Sequence, residues 1–149
     1  MTPAPRLHGA ALLSCVSVLL ATSGCSSTAP TVTVTVGVQT EELSPTQYCL
    51  DGEPDFAAEQ RPPVLRVDPD EPIRIDVPDE VAETGWAVQV FDDDLAQQIG
   101  RVDAGNATTF DTISTSDARP ASYFLVIVQN AGSDCEGLSG AWPIGFVRG

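Results

Sequence analysis

Cysteines and carboxylates are the residues of this 149-residue chain whose types and spacing could do chemistry. It has four cysteines, 21 Asp and Glu, one histidine, one methionine and no lysine. The histidine, His8, lies in the first ten residues, and Met1 is the initiator. From Cys25 onward there is therefore no His, no Lys and no Met. That removes Ser-His-Asp and Cys-His nucleophilic catalysis, lysine nucleophiles and His-containing zinc or copper sites from this part of the chain. Carboxylate-pair hydrolysis of the glycosidase kind remains chemically open, because two acids suffice for it.

Each cysteine has a different expected fate. Cys15 falls inside the apolar run Ala10 to Ala21. That run follows Arg6 and has the length of a signal-peptide core, too short for the ~20 residues of a spanning helix. It ends in Thr22-Ser23-Gly24-Cys25. Small residues ending in Gly-Cys resemble the bacterial lipobox, with Thr22 where Leu is commonest. This predicts cleavage after residue 24 and diacylglycerol on Cys25. Ordinary export with cleavage after a small residue is the alternative. Two acyl chains anchor stably where one does so marginally, so the expected location is the outer face of the cell membrane. Cys49 and Cys135 are then left over, and in an oxidising exported setting two remaining cysteines most simply form a disulfide.

Asp92-Asp93-Asp94 is the densest acidic run and a weak candidate for calcium, which takes several carboxylate oxygens. The preferred reading is a solvated turn, because the EF-hand ligand spacing and its glycine are absent. Asp68, Asp70 and Glu71 receive the same reading. No metal or other cofactor is expected. Trp86 and Trp142 sit on alternating apolar faces, which favours packing in the core over lining a ligand site. Asn106-Ala107-Thr108 matches the N-glycosylation triplet, a motif bacteria seldom use. The hydroxyls of Thr31, Thr33 and Thr35 belong to a strand pattern, which favours a structural role over O-glycosylation.

The elements that must position these residues read as β throughout. Residues 1–24 are expected to be signal peptide, 25–30 lipidated cysteine and short tether, and 31–149 one domain. Thr31 to Val36 alternates strictly with β-branched residues. Further strands are expected at Gln47 to Leu50, Val64 to Val67, Ile73 to Val77, Trp86 to Phe91, Gln97 to Val102, Thr108 to Ile113, Tyr123 to Val128 and Trp142 to Val147. Pro78 to Thr84 has the makings of one helical turn ended by Gly85. Short strands separated by Pro, Gly and Asp argue for an antiparallel sandwich. The order Cys49, Trp86, Tyr123, with Asp117 to Ser122 placed for a tyrosine corner, makes that sandwich immunoglobulin-like. Cys135 lies too far past Tyr123 for the standard inter-sheet bridge of that fold.

The net charge is −14 at pH 7, and losing Arg6 with the leader makes the remainder more acidic still. Such a surface repels phosphate backbones, so nucleic acid is not an expected partner. The expected partners are the membrane, through the N-terminal diacylglycerol, and an envelope protein or glycan.

Two longer strings add a resemblance. Ser44-Pro45-Thr46-Gln47-Tyr48-Cys49 and the block from Pro72-Ile73-Arg74-Ile75-Asp76-Val77 through Gly85-Trp86 resemble a family of small actinobacterial lipoproteins catalogued as domain of unknown function 2771. The resemblance runs from about Thr31 onward. It implies a signal-lipobox protein with one β-rich domain. Two departures stand out: many members carry a second cysteine soon after the first block, absent here, which leaves Cys135 as the candidate partner for Cys49, and Gly85 stands where the pattern has Pro. The family implies no reaction, so no catalytic residue carries over. The expectation is a non-enzymatic, lipid-anchored accessory or binding module. A solute- or cation-binding lipoprotein is the first alternative, and a carboxylate-based envelope hydrolase the second.

Overall fold

A computed structural model describes residue 1 and residues 28–57, 61–132 and 135–149. The expected signal peptide and Cys25 lie outside the described residues. The described residues form eleven strands and one short helix, in order: β1 Val32–Val36, β2 Gln39–Leu43, β3 Gln47–Leu50, β4 Glu53–Phe56, β5 Val64–Val67, β6 Pro72–Asp76, α1 Asp79–Glu83, β7 Trp86–Phe91, β8 Gln98–Gly105, β9 Thr109–Ser114, β10 Ser122–Asn130 and β11 Leu138–Arg148. They make two sheets. One has the order β2-β1-β6-β9; the other runs β4-β3-β11-β10-β7-β8, with β5 added on β11. No described helix is long and apolar enough to cross a membrane.

The expected all-β, sandwich-like architecture is present, with two amendments. The first is two hairpin strands that periodicity did not mark. β2 reads Gln-Thr-Glu-Glu-Leu and buries only Leu43 fully, so hydrophobic alternation is nearly silent there. It is paired to β1 through a two-residue turn at Gly37-Val38, with Gly37 at φ +58°, as a type II′ hairpin turn requires. β4 is exposed at all four positions. It joins β3 across Asp51-Gly52, both at positive φ, the Asp-Gly signature of a type I′ turn. That dipeptide was the available signal. Pro54 is tolerated because β4 is an edge strand.

The second amendment concerns pairing direction. The sheets are antiparallel except where β5 runs parallel to the end of β11, Val64 opposite Gly145 through Val67 opposite Arg148. β11 is therefore shared by β3 at Gly140 and Ala141 and by β5 from Gly145 onward. Pro143 falls in the gap between them. Gly145, two residues later on the same edge, gives its N–H to the Pro63 carbonyl at 2.8 Å. Pro143 has no N–H to give, and no partner strand at that point needs one.

The inner faces of both sheets form a single core. Trp86, Trp142, Tyr123 and Phe146 are its largest fully buried side chains, with Val32, Val34, Val36, Ile73, Ile75, Ile127 and Ile144 around them. Both indole N–H groups are satisfied: Trp86 Nε1 donates to the Ala107 carbonyl at 2.6 Å, and Trp142 Nε1 to the Pro30 carbonyl at 3.0 Å. Pro30 is itself buried, so packed structure begins one residue before Thr31. The short helix α1 ends under amide side chains from elsewhere. Asn106 Nδ2 donates to the Ala82 and Glu83 carbonyls, and Gln129 Nε2 to the Glu80 carbonyl and Thr84 Oγ1.

Candidate functional site

β8 and β9 end the two sheets on the same side of the core and do not pair with each other. In register, Val88 of β7 stands opposite Val102 of β8, and Val90 opposite Gly100. Cross-strand partners point to one face, so Val102 and Gly100 share the inner face with buried Val88. Val102 nevertheless remains 37 % exposed, because nothing from the facing sheet covers it. Gly100 adds no side chain at all. A Cβ built there would meet only Val90, at 3.4 Å, with open space beyond.

The result is a cleft of about 480 Å³ between the sheets. Ile73 and Ile113 form one wall, Val88, Val90, Val102 and Leu125 the other. That volume lies within the roughly 300–1,000 Å³ of small-molecule sites, and the mostly apolar lining with few polar groups matches their usual make-up.

Two of the cleft's polar groups, Asp117 and Arg119, come from the loop from Thr115 to Pro120; Arg101 of β8, held by Asp103, and Ser114 of β9 also line it. Asp117 Oδ2 accepts the Ser114 backbone N–H at 2.6 Å. The Arg119 guanidinium has no hydrogen-bond or ion-pair partner among the described residues. A buried network anchors this loop. Thr115 is fully buried; its hydroxyl donates to the Asp68 carbonyl at 2.6 Å and accepts the Glu71 N–H at 3.1 Å. The Thr115 carbonyl accepts the Tyr123 O–H at 3.0 Å and Arg148 Nη1 at 2.7 Å. Arg148 also donates to the Ala118 and Arg119 carbonyls. Burial pushes the Tyr123 phenol up to about 12, against the lowering effect of Arg148. At neutral pH Tyr123 is thus a donor held in place, not an acid ready to react.

The residues singled out from the sequence fall elsewhere. Cys49 on β3 and Cys135 before β11 form a disulfide with Cα atoms 6.3 Å apart. Both flank the seven-stranded sheet, so the bridge ties the β3–β4 hairpin to the segment before β11 and does not join the two sheets. The acidic run closes the β7–β8 connection. Asp92 Oδ1 accepts the Ala96 and Gln97 N–H groups at 2.8 and 3.0 Å, and Asp94 Oδ1 the Ala96 N–H at 3.1 Å. The bond from Gln97 is the main cause of the lowered Asp92 pKa. These carboxylates are turned to their own backbone, and no three Asp, Glu, Cys or His side chains converge among the described residues. Trp86 and Trp142 are core residues, and Asn106 caps α1. Thr33 and Thr35 are half-exposed on β1, and Thr35 Oγ1 lies 3.2 Å from Thr40 Oγ1 on β2.

Sequence reasoning missed the cleft. Its walls are ordinary core-type residues, and only the mismatch between Gly100 and its strand neighbours hinted at missing volume.

A family model described as protein of unknown function (DUF2771) matches residues 26–134. No curated protein and no solved structure matches the chain.

Proposed function

The chain belongs to the family described as protein of unknown function (DUF2771), and because that description carries no reaction, we propose from the chain's own geometry that it is a non-catalytic binding module, exported and lipid-anchored at Cys25, whose inter-sheet cleft holds a small apolar ligand. The cleft is the observation that carries this reading. Its lining includes one carboxylate, Asp117, whereas hydrolysis by a carboxylate pair needs two acids across the reacting bond. Its phenol is locked in a hydrogen bond. A cleft of this size and lining also suits a small molecule better than the envelope protein or glycan partner expected for a lipid-anchored module.

The anchoring half of the proposal rests on Gly24-Cys25 after the apolar run. Pro30 already packs on Trp142, so only residues 26–29 would separate the lipid from the folded domain. A leash of that length reaches on the order of 10 Å, which would hold the domain against the outer face of the membrane.

We further read the sandwich as immunoglobulin-like. The run β1-β6-β9 beside β11-β10-β7-β8 follows the A-B-E and G-F-C-C′ orders of that fold. Trp86 begins the strand equivalent to C, and Tyr123 near the start of the F-equivalent strand bonds back to the Thr115 backbone as a tyrosine corner does.

Two measurements test the proposal. Cys25→Ala should move the protein out of the membrane fraction and abolish acyl labelling; retention with label would end the anchoring claim. The full chain carrying Cys25→Ala should raise the fluorescence of Nile red on binding, and adding Gly100→Leu, which fills the cleft, should remove that signal. An identical signal from both chains would place the dye elsewhere and end the cleft claim.

A further inference from the structure

We propose that the cleft takes a single-chain amphiphile with a carboxylate head, its tail lying between Ile113 and Val90 and its head at Arg119; this rests on the binding-module reading above. The volume sets the scale. At about 480 Å³ the cleft lies in the lower part of the roughly 300–1,000 Å³ range of small-molecule sites, which suits one medium-length chain.

Charge sets the head. The chain as a whole is strongly acidic, at −14. The loop from Thr115 to Pro120 departs from that. It presents Arg119 at the rim with no side-chain partner, and Arg148 beneath it, whose donors go to the neutral carbonyls of Thr115, Ala118 and Arg119. Neither guanidinium is in an ion pair among the described residues. Arg74 and Arg101 are, each with an aspartate two residues along its own strand. Asp117, the one carboxylate among the lining residues, already holds the Ser114 N–H, and Arg101, the other lining guanidinium, is held by Asp103. Arg119 is the lining cation left to meet an anion beside the apolar slot, and a carboxylate is the head group an arginine fork matches best. The tail end is uncharged: Ile73, Val88, Val90, Ile113 and Leu125 offer no hydrogen bond to a polar chain.

The test uses the full chain with Cys25→Ala, titrated by calorimetry with decanoate and, separately, with decanol, both below their aggregation limits. Decanoate should bind one to one, and more tightly than decanol. Arg119→Gln should weaken decanoate about three- to tenfold and leave decanol unchanged, the size expected for one partly exposed charge-assisted contact. Gly100→Leu should abolish both. If decanol binds as well as decanoate and Arg119→Gln changes neither, the carboxylate head is wrong while the cleft reading stands. If neither compound binds a chain that melts cooperatively, both are wrong.

Discussion

The Tyr123 phenol and the Thr115 carbonyl lie 3.0 Å apart across the loop that closes one end of the cleft, and the same carbonyl also takes a guanidinium N–H from Arg148. One acceptor thus gathers two donors, from β10 and β11, onto the segment that presents Asp117 and Arg119. Rigidity at this end of the cleft is borrowed from the core through Tyr123.

Tyr123→Phe keeps the packing against Phe146, 5.5 Å between ring centroids, and deletes only the hydroxyl. The Thr115 carbonyl retains Arg148, so the expected cost is about 1 kcal/mol, the net worth of one hydrogen bond. Urea unfolding should show a lower midpoint at unchanged slope. An unchanged midpoint would mean the bond contributes nothing.

Alkaline pH should weaken the fold through the same residue. An exposed tyrosine ionises near pH 10, and Tyr123 in the fold is pushed up to about 12 by burial. Between those values the unfolded chain has released its proton while the folded chain retains it. Stability is therefore complete below about pH 10 and declines as pH rises towards about 12. Burial and then the charge of Glu80 raise Tyr48 as well, which adds in the same direction. Ultraviolet titration of the folded protein should show both phenols ionising later than free tyrosine.

The Cys49–Cys135 bridge spans a sequence separation of 86. In the chain-entropy model a loop of that length contributes up to about 4–5 kcal/mol. Replacing both cysteines with serine should lower the melting temperature markedly, and reductant should then have no further effect. Intact mass of the natural protein, before and after reduction, should differ by two hydrogens.

Trp142→Phe removes the donor to the buried Pro30 carbonyl. An orphaned buried carbonyl together with lost ring volume should cost about 2–4 kcal/mol. Hydrogen exchange should quicken around β1, where the packed chain begins.

Asp92→Asn retains the side-chain oxygen that holds the Ala96 and Gln97 N–H groups, and Asp92→Ala does not. The asparagine variant should melt like the parent and the alanine variant earlier. Because these carboxylates are already engaged, millimolar calcium should leave the melting temperature unchanged. An upward shift abolished by Asp92→Ala would revive the cation-binding alternative.

Residues 31–36 and 73–77 show how far local chemistry reaches. Strict alternation of β-branched and polar side chains admits one periodicity, so β1 and β6 were legible with their buried faces. The strand at Trp86 to Phe91 was legible as a strand, but not its burial: Ala87 on the other face is fully buried and Val90 only half so, because both faces are covered at its start. Arithmetic on cysteine also sufficed, since with Cys15 and Cys25 expected elsewhere two remained to pair, and they do. β2 and β4 were silent to periodicity because edge strands exposed on most sides need no apolar face, although Asp51-Gly52 marked one of their turns. The cleft was not legible at all. Val88, Val90 and Ile113 read as core in any sequence, and whether they meet another side chain or empty space depends on which strand lies across from them. The separation of β8 from β9, and the loop that Thr115, Tyr123 and Arg148 pin at its end, are long-range facts that only the folded chain decides.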